Sequence, residues 1–350
     1  MPKYIFVTGG VISGLGKGVI AGSIGKILQS SGIKVSLMKM DPYLNVDAGT
    51  MNPIVHGEVF VCDDGAETDM DIGTYERFLD VNLSRANNIT TGQVYLNVLQ
   101  REREGKYLGK CVQIIPHITD EIKNLIRYAA KKDSAEVMIV ESGGTVGDIE
   151  ALPFLEALRQ MRFEEGKDNT LFVHVTLAPI IEEVGELKTK PTQHSVQELR
   201  RIGIQPDIII VRSKKRLTEA NREKISLFTN VPKENVLSSP DLKSPYLVPQ
   251  VLEEQGISKI IFEQLNMPAR NVDLTEWNNI VRDMVESKEV VHIAMVGKYA
   301  ELSDSYVSVN HALYHAGGSL KCRVKIFWIE SEELEKDSVK LSELEKFDGV

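Results

Sequence analysis

Residues 4–18 of the chain read YIFVTGGVISGLGKG, and this stretch decides the fold. Tyr4 to Thr8 form an apolar, β-branched run typical of a buried strand, and the apolar residues from Val19 to Leu28 recur with helical spacing. Glycines between a strand and a helix let N–H groups point into one cavity, where a lysine reaches bound phosphate. The stretch predicts a phosphate-binding loop at residues 9–18, with a plain glycine-rich turn as the alternative.

The loop departs from the strict phosphate-loop pattern at two positions. Val11 stands where the pattern has glycine, and Gly18 where it has serine or threonine. Because the usual magnesium-binding hydroxyl is missing, carboxylates elsewhere must hold the metal ion. Glu141 qualifies because it follows the predicted strand Val137 to Val140 at the carboxyl edge of the sheet. Asp71 qualifies within an acidic cluster, for which a solvated loop is the alternative.

Composition bounds the classes of function. The 350 residues are enough for two domains, and 41 basic against 50 acidic side chains give a net charge of −9, which argues against nucleic-acid or anionic-membrane partners. The three cysteines lack metal-site spacing and fit a reducing cytoplasm. We see no signal segment and no apolar run of about 18 residues, and therefore expect a soluble protein that is not exported.

Alternating strand and helix patterns predict an open α/β fold with a parallel sheet. The other predicted strands are Lys34 to Met40, Val137 to Val140, Leu171 to Leu177 and Ile208 to Val211. Residues 45–115 interrupt this rhythm with polar sequence that is too long for an ordinary crossover and therefore indicates a functional insertion.

The pattern loosens after Leu265, which places a domain boundary there. We expect a first domain at residues 1–266, a linker at 267–289 that contains a helix from Leu274 to Val285, and a second α/β domain at 290–350. The second domain has three candidate strands: Val290 to Val296, Val324 to Trp328 and Phe347 to Val350. They would bury little surface alone, so we expect the chain to be a fragment of a longer protein.

Three further groups of residues are ambiguous. Asp148 and Glu150 precede a predicted helix, Leu152 to Arg159, so Asp148 is either a ligand or only an N-cap. The run from Lys188 to Gln193 contains a proline and no helical face, which predicts a loop that either cradles a second triphosphate or is simply solvated. His311 and His315 lie four residues apart on a predicted helix, but the zinc-protease glutamate is missing, so we expect a surface or packing role.

Several long strings together resemble the CTP synthase family, and the resemblance covers the whole chain. They are Tyr4 to Gly18, Lys39 to Asp47, His56 to Val61, Asp64 to Asp69, Glu141 to Glu150 and Lys188 to Ser195. The resemblance implies a three-layer parallel sheet like that of dethiobiotin synthetase, followed by a truncated glutaminase-type domain.

The resemblance also implies an activity. In this family ATP phosphorylates the 4-oxygen of UTP, with Mg²⁺ as cofactor, and ammonia released from glutamine then displaces the phosphate to give CTP. It further implies a cytoplasmic homotetramer that can form filaments, with CTP as feedback inhibitor and GTP as effector.

The resemblance assigns roles to residues. Lys17 and Lys39 would be the catalytic lysines, and Asp71 and Glu141 would hold magnesium. The remaining ATP-binding residues would be Gly14, Leu15, Gly16, Gly18 and Val19 at the phosphates, with Arg212, Pro240, Asp241 and Leu242 near the adenine. UTP or CTP would contact Ser13, Asp148, Ile149, Glu150, Lys188, Thr189, Lys190, Pro191, Thr192, Gln193 and Lys224. The ammonia passage would open at Pro53, His56 and Val59.

The chain departs from the family at its end, because no cysteine matches the Cys-His-Glu triad of glutamine hydrolysis. We therefore expect synthesis from ammonia alone and the loss of most of the GTP site.

Two other classes of protein share parts of the loop. A dinucleotide-dependent oxidoreductase would use Gly14, Gly16 and Asp41, but its third glycine falls at Val19 and it has no need of Lys17. An ATPase of the partitioning type would dimerise on ATP and would lack the second nucleotide site.

Overall fold

The computed structural model describes residues 2–181, 186–300, 303–336 and 338–350. The strands of the described chain are β1 Lys3–Gly9, β2 Val35–Asp41, β3 Phe60–Val61, β4 Glu67–Thr68, β5 Asn88–Thr90, β6 Val137–Ser142, β7 Thr170–Leu177, β8 Ile180–Ile181, β9 Glu186–Leu187, β10 Ile208–Ser213, β11 Val236–Pro240, β12 Glu289–Gly297 and β13 Cys322–Glu330. Seven of these strands form the main sheet, all parallel, in the order β11-β10-β7-β1-β6-β2-β5.

Helices pack on both faces of this sheet, and further helices lie in the last part of the described chain. They are α1 Lys17–Gln29, α2 Pro53–His56, α3 Met70–Leu79, α4 Thr91–Arg103, α5 Thr119–Lys132, α6 Leu152–Glu165, α7 Lys190–Arg201, α8 Glu219–Thr229, α9 Val248–Glu253, α10 Ile257–Gln264, α11 Thr275–Glu286, α12 Val307–Ser319, α13 Ser331–Lys336 and α14 Ser338–Glu343. Within the described ranges, no helix is long and apolar enough to cross a membrane.

Strand β1 shows why the predicted sheet forms. Ile5 and Val7 face one apolar core with α1, α3, α9 and α10, whereas Tyr4 and Phe6 face a second core with α4, α5 and α6. A strand buried on both faces is largely apolar, which is why the five predicted strands read as nearly continuous apolar runs. All five are confirmed, as is the three-layer α/β architecture of the main sheet.

Two strands of the sheet were not predicted, and both lie at its edges. Strand β5 reads Asn88-Ile89-Thr90 and β11 ends in Ser238-Ser239-Pro240, so neither carries an apolar run. An edge strand has only one strand neighbour, which relaxes the demand for apolar residues and tolerates proline.

The interval 45–115 is more regular than the sequence indicated, since it contributes β5, α3 and α4. Asp69 caps α3 by accepting from Asp71 N at 2.9 Å, and Thr90 caps α4 by accepting from Gln93 N at 3.1 Å. Caps satisfy the free N–H groups of a first turn, so polar residues start these helices.

The prediction of a loop from Lys188 to Gln193 was wrong for its second half, because α7 begins at Lys190 with Pro191 in its first turn. Proline fits there because the first N–H groups of a helix have no partner within the helix.

The last part of the described chain contains the two parallel strands β12 and β13, connected through α12. The third candidate strand, Phe347 to Val350, makes a single bridge from Gly349 to Ile293. Helix α11 packs its Trp277 and Val281 against Phe78 and Tyr246 of the main sheet's domain. The domain division at 266 and 289 stays a prediction.

Candidate functional site

The glycine-rich loop lies at the carboxyl edge of the main sheet, between β1 and α1. Gly14 and Gly16 adopt φ values of 72° and 81°, and Val11 adopts φ 85°. Only glycine takes such backbone angles without strain, so Val11 is strained at the position where the strict pattern has glycine. The backbone therefore turns at Val11 through an angle that favours glycine, in spite of the deviant sequence.

Lys17 opens α1 and turns back over the loop. Its Nζ donates to Gly144 O at 2.8 Å. Burial lowers the pKa of Lys17, and the charge of Lys39 adds to this, against the opposing charges of Glu141, Asp71 and Asp41. The structure thus brings Lys17 and Lys39 into one electrostatic cluster.

Lys39 is surrounded by four carboxylates. Its Nζ contacts Asp71, and it lies 3.2 Å from Glu141 Oε1, 3.8 Å from Asp69 Oδ1 and 3.9 Å from Asp41 Oδ1. Burial would lower the pKa of Lys39, but these four carboxylates raise it well above its ordinary value. Lys39 is therefore a fixed positive charge at the end of β2.

The carboxylates outnumber the two lysines of the cluster. Burial and neighbouring negative charge raise the pKa of Asp41, Asp69 and Glu141. Tyr75 Oη also donates to Glu141, and Asn88 Nδ2 donates to Asp41 at 2.9 Å. Such an excess of carboxylate oxygen is the environment that a hard divalent cation stabilises.

Gly18 makes room for Asp71. A Cβ at Gly18 would overlap Asp71 Oδ1, so the carboxylate stands where a serine or threonine side chain would begin. The missing hydroxyl of the strict pattern is thereby replaced in space by a carboxylate oxygen. Among the residues that the structure describes, no group of three or more His, Cys, Asp or Glu side chains is placed to hold a metal ion, so a metal here needs further ligands from phosphate and water.

A cavity of about 350 Å³ adjoins the loop. It is lined on one side by Gly14, Gly16 and Val19, and on the other by Arg212, Asp241 and Leu242. Arg212 donates to Asp241 Oδ1 at 3.1 Å and to Pro240 O at 3.4 Å. The structure therefore brings together the two groups of residues that were predicted to hold ATP.

The residues predicted for a second nucleotide are divided between exposed and buried positions. Asp148 accepts from Thr145 N at 2.9 Å, and Ile149 and Glu150 after it are exposed. This segment lies beside the glycine-rich loop, because Val146 N donates to Gly9 O. Ser13 is exposed as well.

The first turn of α7 has an outer and an inner side. On the outer side, Lys190 Nζ lies 5.7 Å from the ring centre of Phe228 on α8. Helix α8 also carries Lys224. Lys188, just before α7, pairs with Glu186 at 2.6 Å. In contrast, Thr189, Thr192 and Gln193 are buried, with Gln193 donating to Thr189 at 3.0 Å. The side chains of Lys188, Lys190 and Lys224, unlike these three, are exposed or half-buried.

The residues predicted for an ammonia passage lie near the carboxylate cluster. Pro53 and His56 bound α2, and Val59 follows it half-buried. The ring of His56 is 5.8 Å from that of Tyr43, whose hydroxyl donates to Asp41 Oδ2 at 3.2 Å.

Sequence reasoning missed Asp41, Asp69 and Tyr75 as members of the cluster. Asp41 ends β2 as Glu141 ends the run of β6, so the rule that selected Glu141 would also have selected Asp41. Tyr75 follows Asp71 by one helical turn of α3, which is the remaining signal.

A parallel α/β sheet with this loop, its lysine and its carboxylates places the chain in the phosphate-loop class of α/β proteins. A family profile described as "CTP synthase N-terminus" matches residues 3–267. The chain belongs to the CTP synthase family.

Curated relatives carry the same name. The chain is 56% identical over 344 residues to a CTP synthase of Saccharolobus solfataricus, which covers 98% of this chain and 64% of that protein. It is 57% identical over 350 residues to a CTP synthase of Pyrococcus furiosus, and the match covers 100% of this chain and 64% of that protein. It is 55% identical over 350 residues to a CTP synthase of Sulfolobus acidocaldarius, and this match covers 100% of this chain and 66% of that protein. The chain thus spans slightly less than two thirds of the length of these relatives.

Proposed function

We propose that this chain carries the synthase activity of a CTP synthase, an ATP-dependent ligase that aminates UTP to CTP in pyrimidine biosynthesis. The observation that carries the proposal is the convergence of Lys17, Lys39, Asp71 and Glu141 beneath the glycine-rich loop. Phosphoryl transfer is mainly positioning and charge neutralisation, and this cluster supplies both.

ATP would lie with its phosphates on the loop and its adenine in the cavity beside Arg212, Asp241 and Leu242. Lys17 would donate to the terminal phosphates once a ligand competes for its bond to Gly144 O. Lys39 would add a second fixed positive charge against the charge that develops on the transferred group.

Asp71 and Glu141 would hold Mg²⁺. Asp71 fits this role because its carboxylate replaces the missing loop hydroxyl in space, and Glu141 fits because its carboxylate faces the same cluster. Bound there, the ion would neutralise phosphate charge.

UTP, and CTP as a feedback inhibitor, would bind across the loop from ATP. Ser13, Asp148, Ile149 and Glu150 would contribute one side, and the lysines at 188, 190 and 224 the other, which matches the charge of a triphosphate. Thr189, Pro191, Thr192 and Gln193 would set the position of Lys188 and Lys190 at the start of α7. Ammonia would enter beside Pro53, His56 and Val59, close to Asp41.

The rest of the family's biology is inferred from membership alone. We infer that ammonia is normally supplied from glutamine by a C-terminal glutaminase domain and that GTP acts on that domain. We further infer a homotetramer that can form filaments in the cytoplasm, to which the three unpaired cysteines are suited.

The test is CTP formation from UTP, ATP, Mg²⁺ and ammonium, followed by absorbance. We expect Lys17→Ala to lower kcat by about 100-fold or more, the scale for losing one preorganised charge contact. Lys34→Ala, an exposed lysine of the same domain, should keep wild-type activity. If the folded wild type binds ATP but forms no CTP, the proposal fails, and ATP-dependent dimerisation measured by light scattering would favour the partitioning-type ATPase.

A further inference from the structure

A buried chain of three hydrogen-bonding side chains connects the glycine-rich loop to α7. His174 of β7 lies 2.9 Å from Thr8 Oγ1 through its Nδ1 and 2.7 Å from Ser195 Oγ through its Nε2. Thr8 and His174 are register partners on neighbouring strands, and Ser195 belongs to α7. We call Thr8, His174 and Ser195 the relay.

The loop rests directly on the relay. A Cβ at Gly10 would overlap Ser195 Oγ and would lie 3.4 Å from His174 Nε2. Gly10 N also donates to Val175 O at 3.1 Å, next to His174 along β7. The backbone of the loop therefore has no freedom to approach α7 further, and the relay sets the distance between them.

The other end of the relay reaches the second nucleotide region. Ser195 follows Lys190, the first residue of α7, by little more than one helical turn. Thr192, in the first turn of α7, is also tied to β7, by Thr176 Oγ1 at 3.1 Å and Leu177 O at 3.1 Å. Helix α7 is thus tied to β7 through both Thr192 and Ser195. Only the contact of Ser195 with His174 continues, through Thr8, into β1 and hence to the loop.

We propose that His174 is a positioning residue that holds the phosphate loop and the first turn of α7 at the spacing that phosphoryl transfer between the two nucleotides requires. This inference rests on the proposed function. His174 would touch neither nucleotide and would act through Thr8 and Ser195.

The chemistry of the relay suits a fixed spacer. Burial, together with the charge of Lys17, lowers the pKa of His174 to about 3, so its ring is neutral at physiological pH. A neutral imidazole has one donor and one acceptor, and each hydroxyl can play either part, so both bonds are satisfied without a buried charge. A satisfied buried polar chain fixes one arrangement of the elements that it joins.

The experiment compares His174→Leu with wild type in the ammonium-dependent reaction. We expect kcat at saturating ATP and UTP to fall by about 100-fold, because a misplacement of about 1 Å costs a rate factor of this order. The KM values for ATP and UTP should rise by only about fivefold, the loss of coupling between the two sites, because the direct contacts to each ligand remain. His174→Gln, which keeps an amide near the Nε2 position, should recover part of the rate.

Thr8→Val and Ser195→Ala keep the proposal testable if the leucine variant fails to fold. Breaking either bond disconnects the loop from α7, so the two single variants and their double variant should lose kcat to a similar extent. Ser36→Ala is the control, because Ser36 is a buried hydroxyl at the start of β2 that donates to Asp133 and is separated from β7 by β1 and β6. A Ser36→Ala variant whose melting temperature falls as far as that of the relay variants should keep the kcat of wild type.

A binding measurement separates this inference from the proposed function. We expect UTP to raise the affinity for a non-hydrolysable ATP analogue by about fivefold or more in wild type, and to leave it unchanged in His174→Leu. Absence of CTP formation in wild type would overturn the proposed function. A kcat within twofold of wild type in the relay variants, or an equal effect of UTP on analogue affinity in wild type and His174→Leu, would overturn the role of His174.

Discussion

Asp71 occupies the space that a side chain at Gly18 would need, and this leads to a prediction at the scale of single residues. Gly18→Ser restores the hydroxyl of the strict phosphate-loop pattern, yet its Cβ would overlap Asp71 Oδ1. We expect the carboxylate to be displaced, so that half-maximal activity needs more Mg²⁺ and kcat falls by about tenfold or more. The measurement is CTP formation against Mg²⁺ concentration.

Gly25→Ala is the matched control for this change. Gly25 lies on the same helix, and its added Cβ would meet only the flexible ends of Leu37 and Leu79 at 3.2 Å. Its Mg²⁺ dependence should equal that of wild type. A serine variant at position 18 with unchanged Mg²⁺ dependence would show that Asp71 does not replace the missing hydroxyl.

The sequence was sufficient for the loop and for two of the four carboxylates around Lys39, but not for the contacts among them. Lys39 and Glu141 meet because they are register partners on β2 and β6. Although β2 follows β1 in sequence, β6 lies between them in the sheet. Neither strand order nor register is written in the local pattern, so the cluster could not be assembled from sequence.

At the scale of elements, the apolar runs and the helical spacing identified the buried strands and α1 but missed what lies at boundaries. The edge strand β5 is polar, and the edge strand β11 ends in proline. Helix α7 has Pro191 as its second residue, and this proline suggested a loop. In each case the deciding contacts lie outside the segment itself, and so local propensity gave the wrong answer.

Helix α12 provides a prediction about pH. His311 Nδ1 and His315 Nε2 each lie 2.8 Å from Tyr246 Oη, which ties α12 to the main sheet's domain. Burial lowers the pKa of His311 to about 4, helped by the charges of Arg77 and His315. The neutral form therefore stabilises the fold fully above the unfolded value of about 6.5, and this contribution is lost as pH falls toward 4.

We expect amide hydrogen exchange in α12 to accelerate between pH 6.5 and 4, after correction for the intrinsic rate. His311→Asn keeps a group that accepts from Tyr246 but cannot titrate, so its α12 protection should depend less on pH. His194→Asn removes an exposed histidine and should retain the wild-type profile. Equal acid sensitivity in His311→Asn and wild type would contradict the role of His311.

At the scale of the whole molecule, the seven strands of the main sheet all lie between Lys3 and Pro240. The segment 267–289, which we predicted to be a linker, nevertheless contacts the first domain. Trp277 packs on Phe78 at a ring distance of 5.5 Å and donates to Tyr246 O at 2.9 Å, while Arg270 donates to Gly32 O at 3.0 Å. We therefore propose that this segment stabilises the first domain rather than only joining it to the second.

Two shortened chains test this proposal. Both residues 1–266 and residues 1–289 should fold, because each contains the complete main sheet and nearly all of its two apolar cores. The shorter chain should be less stable by about 2–5 kcal/mol, because it loses the buried Leu274 of the first core together with the half-buried Trp277. The measurement is urea unfolding followed by circular dichroism, with Trp277→Ala in the 350-residue chain as an independent check on the same contact. Equal unfolding midpoints for the two shortened chains would mean that residues 267–289 add nothing to the stability of the first domain. The segment would then be only a linker, and the first domain would end at residue 266.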